Sequence, residues 1–437
     1  VVRFEVEMTS IDTVFALSSG AGRSAVSVIR VSGPACGTLL CSLIGKMPKP
    51  RELALRVVRH PRTGEQLDKA LAVWLPAPGS FTGEDCAELH LHGSTAVVSA
   101  VMAAMAAVNE GHEVAYGEDS VTGKFDEMVR DLFGANAIGF PMFNGTGANV
   151  VALQAATNRW EAVICASSAH IHADEGGAPE KMAGLKLWTV PTSTGKITAE
   201  QVASQIFDMG VVHRAQPGVV SITQTTEMGT LYQVAEIREI AEMAHKHGLL
   251  LHLDGARISN AAAALGLSFK QFTTDSGVDL VSLGGTKIGA MAAEAVIITD
   301  ASSARGKAMA EAMPFLRKTS MQLASKMRFM SAQLNALFEN DAAVALSNAR
   351  HANAMAARLY EGVVRISAKH PEVSVENPAE ANAVFPVLPG WLTEKLQQDY
   401  RFYVWNQETG QVRWMCAWDT TEADVDGLLQ KLEEQLS

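Results

Sequence analysis

The chain has 437 residues, of which 48% are hydrophobic and 19% charged, a composition that excludes a long disordered protein. Its length predicts two or three domains. Acidic residues outnumber basic ones by 47 to 36, and the net charge of −11 gives no broad electrostatic basis for binding nucleic acid. The five cysteines form no CxxC pair, so no metal site or disulfide framework is predicted, and a reducing compartment is favoured.

Neither a membrane span nor a targeting segment is predicted. The longest apolar run, residues 96–108, is interrupted by Ser99 and falls short of the roughly 20 residues that cross a bilayer. Residues 1–10 carry two acids and no apolar run, which argues against a signal peptide. We therefore expect a soluble, cytoplasmic protein without a membrane partner.

Short alternating runs separated by turn residues occupy the first hundred residues and predict a small α+β domain. The predicted strands are Val26–Val31, Ala54–Val58, Leu71–Leu75 and Ala87–Leu91.

From about residue 96, helical segments alternate with compact apolar runs. Strands are predicted at Ala137–Phe143, Ala162–Ala166, Leu185–Val190, Val219–Thr223, Leu249–Leu253 and Leu280–Leu283. Helices are predicted at Ala148–Thr157 and Gln233–His247. This alternation is typical of an α/β fold, a mostly parallel sheet with helices on both faces.

After Ser302, a long helical stretch leads to a smaller C-terminal α+β part. Strands are predicted near Arg401–Trp405 and Val412–Ala417, followed by a closing helix from Glu422. We divide the chain into domains at 1–95, 96–310 and 311–437.

Three motifs of the larger part carry chemistry. Asp254 ends an apolar strand and Arg257 follows it, at the edge where parallel sheets bind ligands, although a surface acid paired with an arginine fits equally. Lys287 follows another strand and a glycine turn, where a lysine can form a Schiff base, although an isolated lysine is usually exposed. The glycine turn Asn144–Asn149 precedes a helix and can hold a phosphate, although such turns often only connect elements.

Together the three motifs fit pyridoxal phosphate. Its phosphate would bind at the helix start, Asp254 would hold a proton on the pyridine nitrogen, and Lys287 would bind the aldehyde.

Residues 96–437 resemble the low-specificity threonine aldolases of the aspartate-aminotransferase fold (fold type I). The matching stretches are Asn109–Asp119, Asn144–Asn149, Ala169–Gly177, Thr225–Gly229, His252–Arg257 and Gly284–Lys287. The resemblance implies a pyridoxal-phosphate-dependent lyase that cleaves L-threonine or L-allo-threonine to glycine and an aldehyde. It also implies a homodimer or homotetramer, with the segment 116–119 near the interface.

The resemblance assigns roles to individual residues. Gly145 and Thr146 would hold the phosphate, while His170 would stack on the ring that Asp254 pairs with. Lys287 would be the Schiff-base lysine. Two arginines would bind the substrate carboxylate, and one of them, Arg257, would also contact the cofactor. The remaining assignments are Arg413 as the second arginine, His213 near the substrate hydroxyl, and His172 as an influence on threo or erythro preference. The catalytic base is left open between His170, His213 and water.

The first part resembles a different family, the N-terminal domain of the tRNA-modification GTPases of the MnmE (TrmE) type. The matching stretches are Asp12–Val26, Ile29–Pro34 and Phe81–Gly93. That family implies dimerisation and a tetrahydrofolate ligand, with Arg23 and Glu84 as pocket residues, although both positions also fit plain turn chemistry. No GxxxxGK[ST] phosphate loop occurs in the chain, so GTP hydrolysis is not expected.

Both resemblances are incomplete where they meet. His92 and Gly93 stand where threonine aldolases carry a Ser-Asp pair that helps bind the substrate carboxylate, which predicts a join near residue 93 and weakened substrate affinity. Three hypotheses follow: an active aldolase, an inactive aldolase-derived body fused to a folate-binding or dimerisation module, and a fusion whose first domain does nothing for the aldolase.

Overall fold

The computed structural model describes residues 14–17, 26–34, 36–59, 66–77, 80, 84–92 and 113–437. They belong to two compact units, one within residues 1–112 and one comprising Glu113–Ser437. The helix expected over residues 96–108 and the join expected at residue 93 lie outside the described residues. The division of the second unit near residue 310 stays a prediction.

The first unit is an antiparallel sheet with one described helix. Its strands are β1 (Val14–Leu17), β2 (Val26–Ser32), β3 (Ala54–Arg59), β4 (Gln66–Leu75) and β5 (Cys86–His92), in the order β1-β2-β5-β4-β3. Helix α1 (Cys36–Ile44) buries Cys36 and Leu40 against Val31 and Leu89. The four strands predicted here are confirmed, with ends that extend by one to five residues.

A seven-stranded sheet forms the centre of the second unit. In chain order its strands are β6 (Ile138–Met142), β7 (Glu161–Ala166), β8 (Lys186–Val190), β9 (Gln216–Thr223), β10 (Leu250–Gly255), β11 (Leu280–Gly284) and β12 (Glu294–Ile298). They lie in the order β6-β12-β11-β10-β9-β7-β8. Neighbours from β8 to β11 are parallel, whereas β12 runs antiparallel to both β11 and β6.

Helices cover both faces of this sheet, and as a consequence every residue of β10, β11 and β12 is buried. In chain order the helices are α2 (Ser120–Phe133), α3 (Gly145–Ala156), α4 (His170–Ala173), α5 (Ala178–Met182), α6 (Ala199–Gln205), α7 (Val234–Lys246), α8 (Ile258–Leu265), α9 (Phe269–Phe272) and α10 (Ala304–Thr319). The predicted α/β class is confirmed.

The C-terminal part combines a long helix with a small sheet. Helix α11 (Arg328–Ser367) is interrupted at 339–342. Strands β13 (Ser374–Val375), β15 (Pro386–Val387), β17 (Gln411–Met415) and β14 (Ala383–Val384) lie in that order, and β16 (Tyr403–Asn406) also pairs with β17. Two more helices are α12 (Gly390–Leu396) and the predicted closing helix α13 (Glu422–Leu436). Among the helices described, none is long and apolar enough to span a membrane.

Candidate active site

The candidate site lies at the carboxyl ends of the central parallel strands. Asp254 stands in register with Thr223 of β9 on one side and Ser282 of β11 on the other. Asp254 is 3% exposed, and its Oδ1 accepts a hydrogen bond from the backbone N–H of Ala256 at 3.0 Å. It is therefore a buried acid in the sheet rather than a surface turn residue.

The glycine turn before α3 presents free N–H groups. Asn144 caps the helix by accepting a hydrogen bond from the N–H of Gly147 at 2.7 Å. The N–H groups of Gly145 and Thr146 belong to the first turn, where no earlier helical carbonyl pairs with them. A Cβ on Gly145 would meet open space, whereas a Cβ on Gly147 would lie 2.3 Å from the Gln322 side chain. The turn thus leaves room for an anion at Gly145.

A chain of hydrogen bonds connects Asp254 to His170. The Asn149 amide donates to Asp254 Oδ2 at 2.9 Å and to Glu175 Oε1 at 2.8 Å. Glu175 Oε1 also lies 3.0 Å from His170 Nδ1. The hydrogen bond to Glu175 raises the pKa of His170, although burial opposes it.

Lys287 stands on a short 3₁₀ turn directly after β11. The residue is exposed to solvent, yet surrounding atoms desolvate its ammonium group enough to lower its pKa. The positive charge of Arg257 lowers this pKa further. Its ammonium forms no hydrogen bond or ion pair with another described residue. A lysine with a lowered pKa holds more of the neutral amine that attacks an aldehyde.

The charge of Arg413 acts on Arg257, so the two arginines belong to the same part of the site, and their joint role stays a prediction. Desolvation lowers the pKa of both guanidinium groups, and the charge of Arg413 adds to the shift at Arg257. Arg413 packs over the Trp405 ring at 4.3 Å from the ring centre, and its Nε is buried with no partner in the described structure. Two neighbouring cations with a free donor suit one carboxylate.

The two other histidines have fewer contacts. His172 is exposed on α4, and His213 is exposed in the turn before β9. No hydrogen bond joins either side chain to the described residues of the site. Their roles stay predictions.

Three site residues were not singled out from the sequence. Asn149 and Glu175 lie in the hydrogen-bond chain, and Glu227 lies in the loop after β9, where its Oε1 accepts from the N–H of His170 at 2.8 Å. Each belongs to a stretch that matched the aldolases. For Asn149 the available signal was an amide among small and apolar residues, whereas Glu175 and Glu227 follow other polar residues and no local pattern distinguishes them.

The first unit carries one of its two predicted pocket residues within the described structure. Glu84 is exposed and its Oε2 accepts a hydrogen bond from the Ser32 hydroxyl at 3.2 Å. Arg23 lies outside the described residues.

Pyridoxal phosphate fits the residues of the second unit. Buried oxygens remain without a hydrogen-bond donor at Asn149 Oδ1, Glu175 Oε2 and Glu227 Oε2, as expected where a ligand completes a polar site. The open space at Gly145 would take the phosphate, Asp254 the ring nitrogen and Lys287 the aldehyde. The fold and this site define a pyridoxal-phosphate enzyme of the aspartate-aminotransferase class.

Comparison with known proteins identifies the family. A family model described as Beta-eliminating lyase matches residues 93–386. The low-specificity L-threonine aldolase of Pseudomonas aeruginosa is 40% identical over 320 residues, which cover 73% of this chain and 89% of that protein. The chain therefore belongs to the Beta-eliminating lyase family, and its resemblance to threonine aldolases is confirmed.

A solved structure agrees with this assignment. The threonine aldolase of Leishmania major matches with a TM-score of 0.71 and 27% identity, over 79% of this chain and 98% of that one.

The first unit matches other proteins. A model described as GTP-binding protein TrmE N-terminus covers residues 13–118. The tRNA modification GTPase MnmE of Methylobacterium sp. is 60% identical over 92 residues, which make up 21% of this chain and 21% of that protein. The chain thus shares about a fifth of that GTPase's length, and the predicted N-terminal resemblance is confirmed.

Proposed function

We propose that the chain is a pyridoxal-phosphate-dependent aldolase that cleaves L-threonine and L-allo-threonine to glycine and an aldehyde. One observation carries the proposal: Asp254, Lys287 and the arginine pair converge at one sheet edge. The similarity to threonine aldolases over most of the chain supports the substrate class.

The residues of the site divide the work. When bound, pyridoxal phosphate supplies an aldehyde and a pyridinium ring that accepts electrons from the broken Cα–Cβ bond. Lys287 offers an amine whose lowered pKa favours the neutral form. Arg257 and Arg413 bind the substrate carboxylate and so orient the bond to be broken. Asp254 stays paired with Asn149 and can hold a proton at the ring nitrogen.

The base that removes the proton of the β-hydroxyl is His170, His213 or water. His170 is held in the site by Glu175, which supports it as the first candidate. Replacing each histidine by alanine in turn separates the three. Activity in both variants points to water, and loss of cleavage in His213→Ala alone points to His213. Loss in His170→Ala alone identifies His170 only if that variant keeps the visible band of the bound cofactor, because His170 is also expected to stack on the ring. His172 is proposed to influence the threo or erythro preference, and its alanine variant should change the ratio of rates on the two threonine isomers.

The test of the function is the visible absorption spectrum of the purified protein with pyridoxal phosphate. We expect a band from cofactor bonded to a lysine, which changes when L-allo-threonine is added. Lys287→Ala should lack the band, whereas Lys307→Ala, which alters an exposed lysine on α10, should keep it. A folded protein without the band would favour the inactive aldolase-derived body.

A second function is proposed for the first unit, binding of a tetrahydrofolate by Arg23 and Glu84. The match to the TrmE N-terminus supports it. Calorimetric titration with formyl-tetrahydrofolate should show binding that is lost when Arg23 and Glu84 are both replaced. Glu52→Gln, at an exposed residue of the same unit, should leave it intact. Binding that survives the double replacement would contradict the site.

We also propose a cytoplasmic homodimer or homotetramer that takes amino acids rather than nucleic acid as ligands. Phe315 is 73% exposed and Met321 71% exposed, and in sequence they flank Lys318, which packs over the Tyr116 ring at 5.1 Å. These side chains support an interface beside 116–119. Phe315→Glu should lower the mass measured by light scattering. An unchanged mass would place the interface elsewhere.

A further inference from the structure

Glu227 is a buried carboxyl group that has no role in the aldolase mechanism proposed above. Its side chain lies in the loop after β9 and is 4% exposed. Oε1 accepts one hydrogen bond from the His170 N–H at 2.8 Å, and the Thr223 hydroxyl and the backbone N–H of Glu227 itself also donate to the carboxylate. Oε2 is buried with no partner among the described residues. A buried carboxylate oxygen without a donor is costly, so its retention at a site needs a physical reason.

Charged and titratable groups surround Glu227 from several elements. They are Asp254 of β10, Arg257 after that strand, Arg413 of β17, Lys287 after β11, Cys165 of β7 and Tyr232 of the loop before α7. Glu227 attracts the two arginines and Lys287, and Asp254 repels it. No ion pair within 4.0 Å joins Glu227 to any of the three cations in the described structure. Its charge therefore acts on the two arginines through electrostatics, without a direct ion pair.

We propose that Glu227 takes up a proton when the carboxylate of an amino acid binds between Arg257 and Arg413. The inference rests on the proposed function, because it takes these arginines as the substrate carboxylate site. Before binding, the negative charge of Glu227 partly balances the two guanidinium groups. The arriving carboxylate provides that balance itself and repels Glu227, so a proton from solvent bonds to Oε2. The proton removes the negative charge from a buried oxygen that no described residue stabilises.

The energetic conditions for this uptake are met at neutral pH. Burial, aided by the charge of Asp254, raises the pKa of Glu227 to about 7, so that the group is about half ionised there. A second negative charge nearby raises the pKa further. Because Oε1 keeps its bond to the His170 N–H, protonation at Oε2 leaves the loop and α4 in place. Glu227 thus keeps the net charge of the site constant when the carboxylate binds.

The experiment is a calorimetric titration of the cofactor-loaded enzyme with glycine, in buffers that differ in ionisation enthalpy. The dependence of the heat on the buffer gives the protons taken up. Wild type should take up more protons per bound glycine than Glu227→Gln does. The difference should reach about nine-tenths of a proton at pH 8 and about one-tenth at pH 6, as a group with a pKa of about 7 requires. Glycine should still bind to the variant.

Glu294→Gln is the matched control. Glu294 is also buried, with a pKa raised by burial to about 7, and it lies beside Lys287. It does not contribute to the pKa shifts of the two arginines. This variant should keep the uptake that Glu227→Gln loses.

The outcomes separate the inference from the proposed function. Equal uptake in wild type and Glu227→Gln, or uptake that does not change between pH 6 and 8, overturns the role of Glu227 alone. Failure of glycine to alter the visible spectrum overturns the proposed function and this inference with it. If Glu227→Gln does not fold, the infrared difference spectrum of wild type on adding glycine decides. It must gain the carbonyl stretch of a protonated carboxylic acid, and its absence overturns the proposal.

Discussion

Asn149 joins two buried carboxylates through the two hydrogens of a single amide. We expect Asn149→Ala to lower the free energy of unfolding by about 2–4 kcal/mol, because Asp254 Oδ2 and Glu175 Oε1 each lose a donor. Urea unfolding of the cofactor-free protein measures the loss. Asn158 donates to Glu161 at the surface, so Asn158→Ala should cost less than about 0.5 kcal/mol. Equal losses in both variants would contradict the buried bridge.

The pKa of His170 offers a test by pH. Because the hydrogen bond to Glu175 raises this pKa above 6.5, the pair stabilises the fold fully at pH values below 6.5. That contribution declines as the pH rises through the raised pKa. Glu175→Gln should move the pKa of His170 down toward 6.5, as measured by NMR titration of the imidazole ring.

His245 provides a control in the same NMR titration. Asp279 raises the pKa of His245 through a bond of 2.8 Å, and this pair is not linked to Glu175. The titration of His245 should not change in Glu175→Gln. If His170 titrates as in wild type, Glu175 does not set its pKa.

Single site residues differed in how well the sequence predicted them. Asp254 and Lys287 could be identified because each directly follows a strand that a continuous apolar run reveals. Glu175 and Glu227 could not, because their significance depends on His170, to which one bonds through the ring and the other through the backbone. Such contacts join segments up to 57 residues apart, and no local periodicity encodes them.

At the level of elements, the turn before α3 depends on the packing of a distant loop. A Cβ at residue 147 would overlap the Gln322 amide, whose Oε1 accepts from the N–H of Phe143 at 3.0 Å. Gly147→Ala should therefore lower stability by about 1–3 kcal/mol. In a Gln322→Ala background the same change should be nearly neutral, a coupling of about 0.5–3 kcal/mol measured by a double-mutant cycle.

Gly145→Ala is the contrasting variant in the same turn. Its Cβ enters open space, so stability should not fall. Affinity for the cofactor should fall, because the same space would take the phosphate. A loss of stability at Gly145 as large as at Gly147 would contradict the described packing.

Four strands of the parallel sheet were predictable because nearly all of their residues are buried, which makes each a nearly continuous apolar run: β7, β9, β10 and β11. Strand β12 was missed, since only four apolar residues follow Glu294 in it and so short a run cannot be assigned by periodicity alone. The long helical stretch after Ser302 divides into α10 and α11, with residues 320–327 between them. Sequence pattern gave the helical content there, but the break depends on tertiary contacts such as that of Gln322 with Phe143.

At the scale of the whole molecule, two families meet within one chain. Their matches, residues 13–118 and 93–386, overlap over residues 93–118, and the join near residue 93 stays a prediction. The sequence identified both families, because their motifs are local. It could not establish whether the first unit affects catalysis, since that depends on energetic coupling between the units.

Thermal unfolding can measure this coupling. Each unit has its own hydrophobic core, and Gly145, Asp254 and Lys287 all belong to the second. A ligand stabilises only the folded unit that binds it, by about 2.7 kcal/mol at a hundred times its dissociation constant. Differential scanning calorimetry should therefore show two transitions, of which pyridoxal phosphate raises one by about 5 °C.

Two controls assign each transition to one of the units. In Lys287→Ala the shift should shrink, because the bond between cofactor and lysine is lost, while the other transition stays where it was. Formyl-tetrahydrofolate should move only the transition that pyridoxal phosphate leaves unchanged. A single transition that responds to both ligands would mean that the two units unfold together. The first unit would then contribute to the stability of the aldolase, contrary to the expectation from their separate cores.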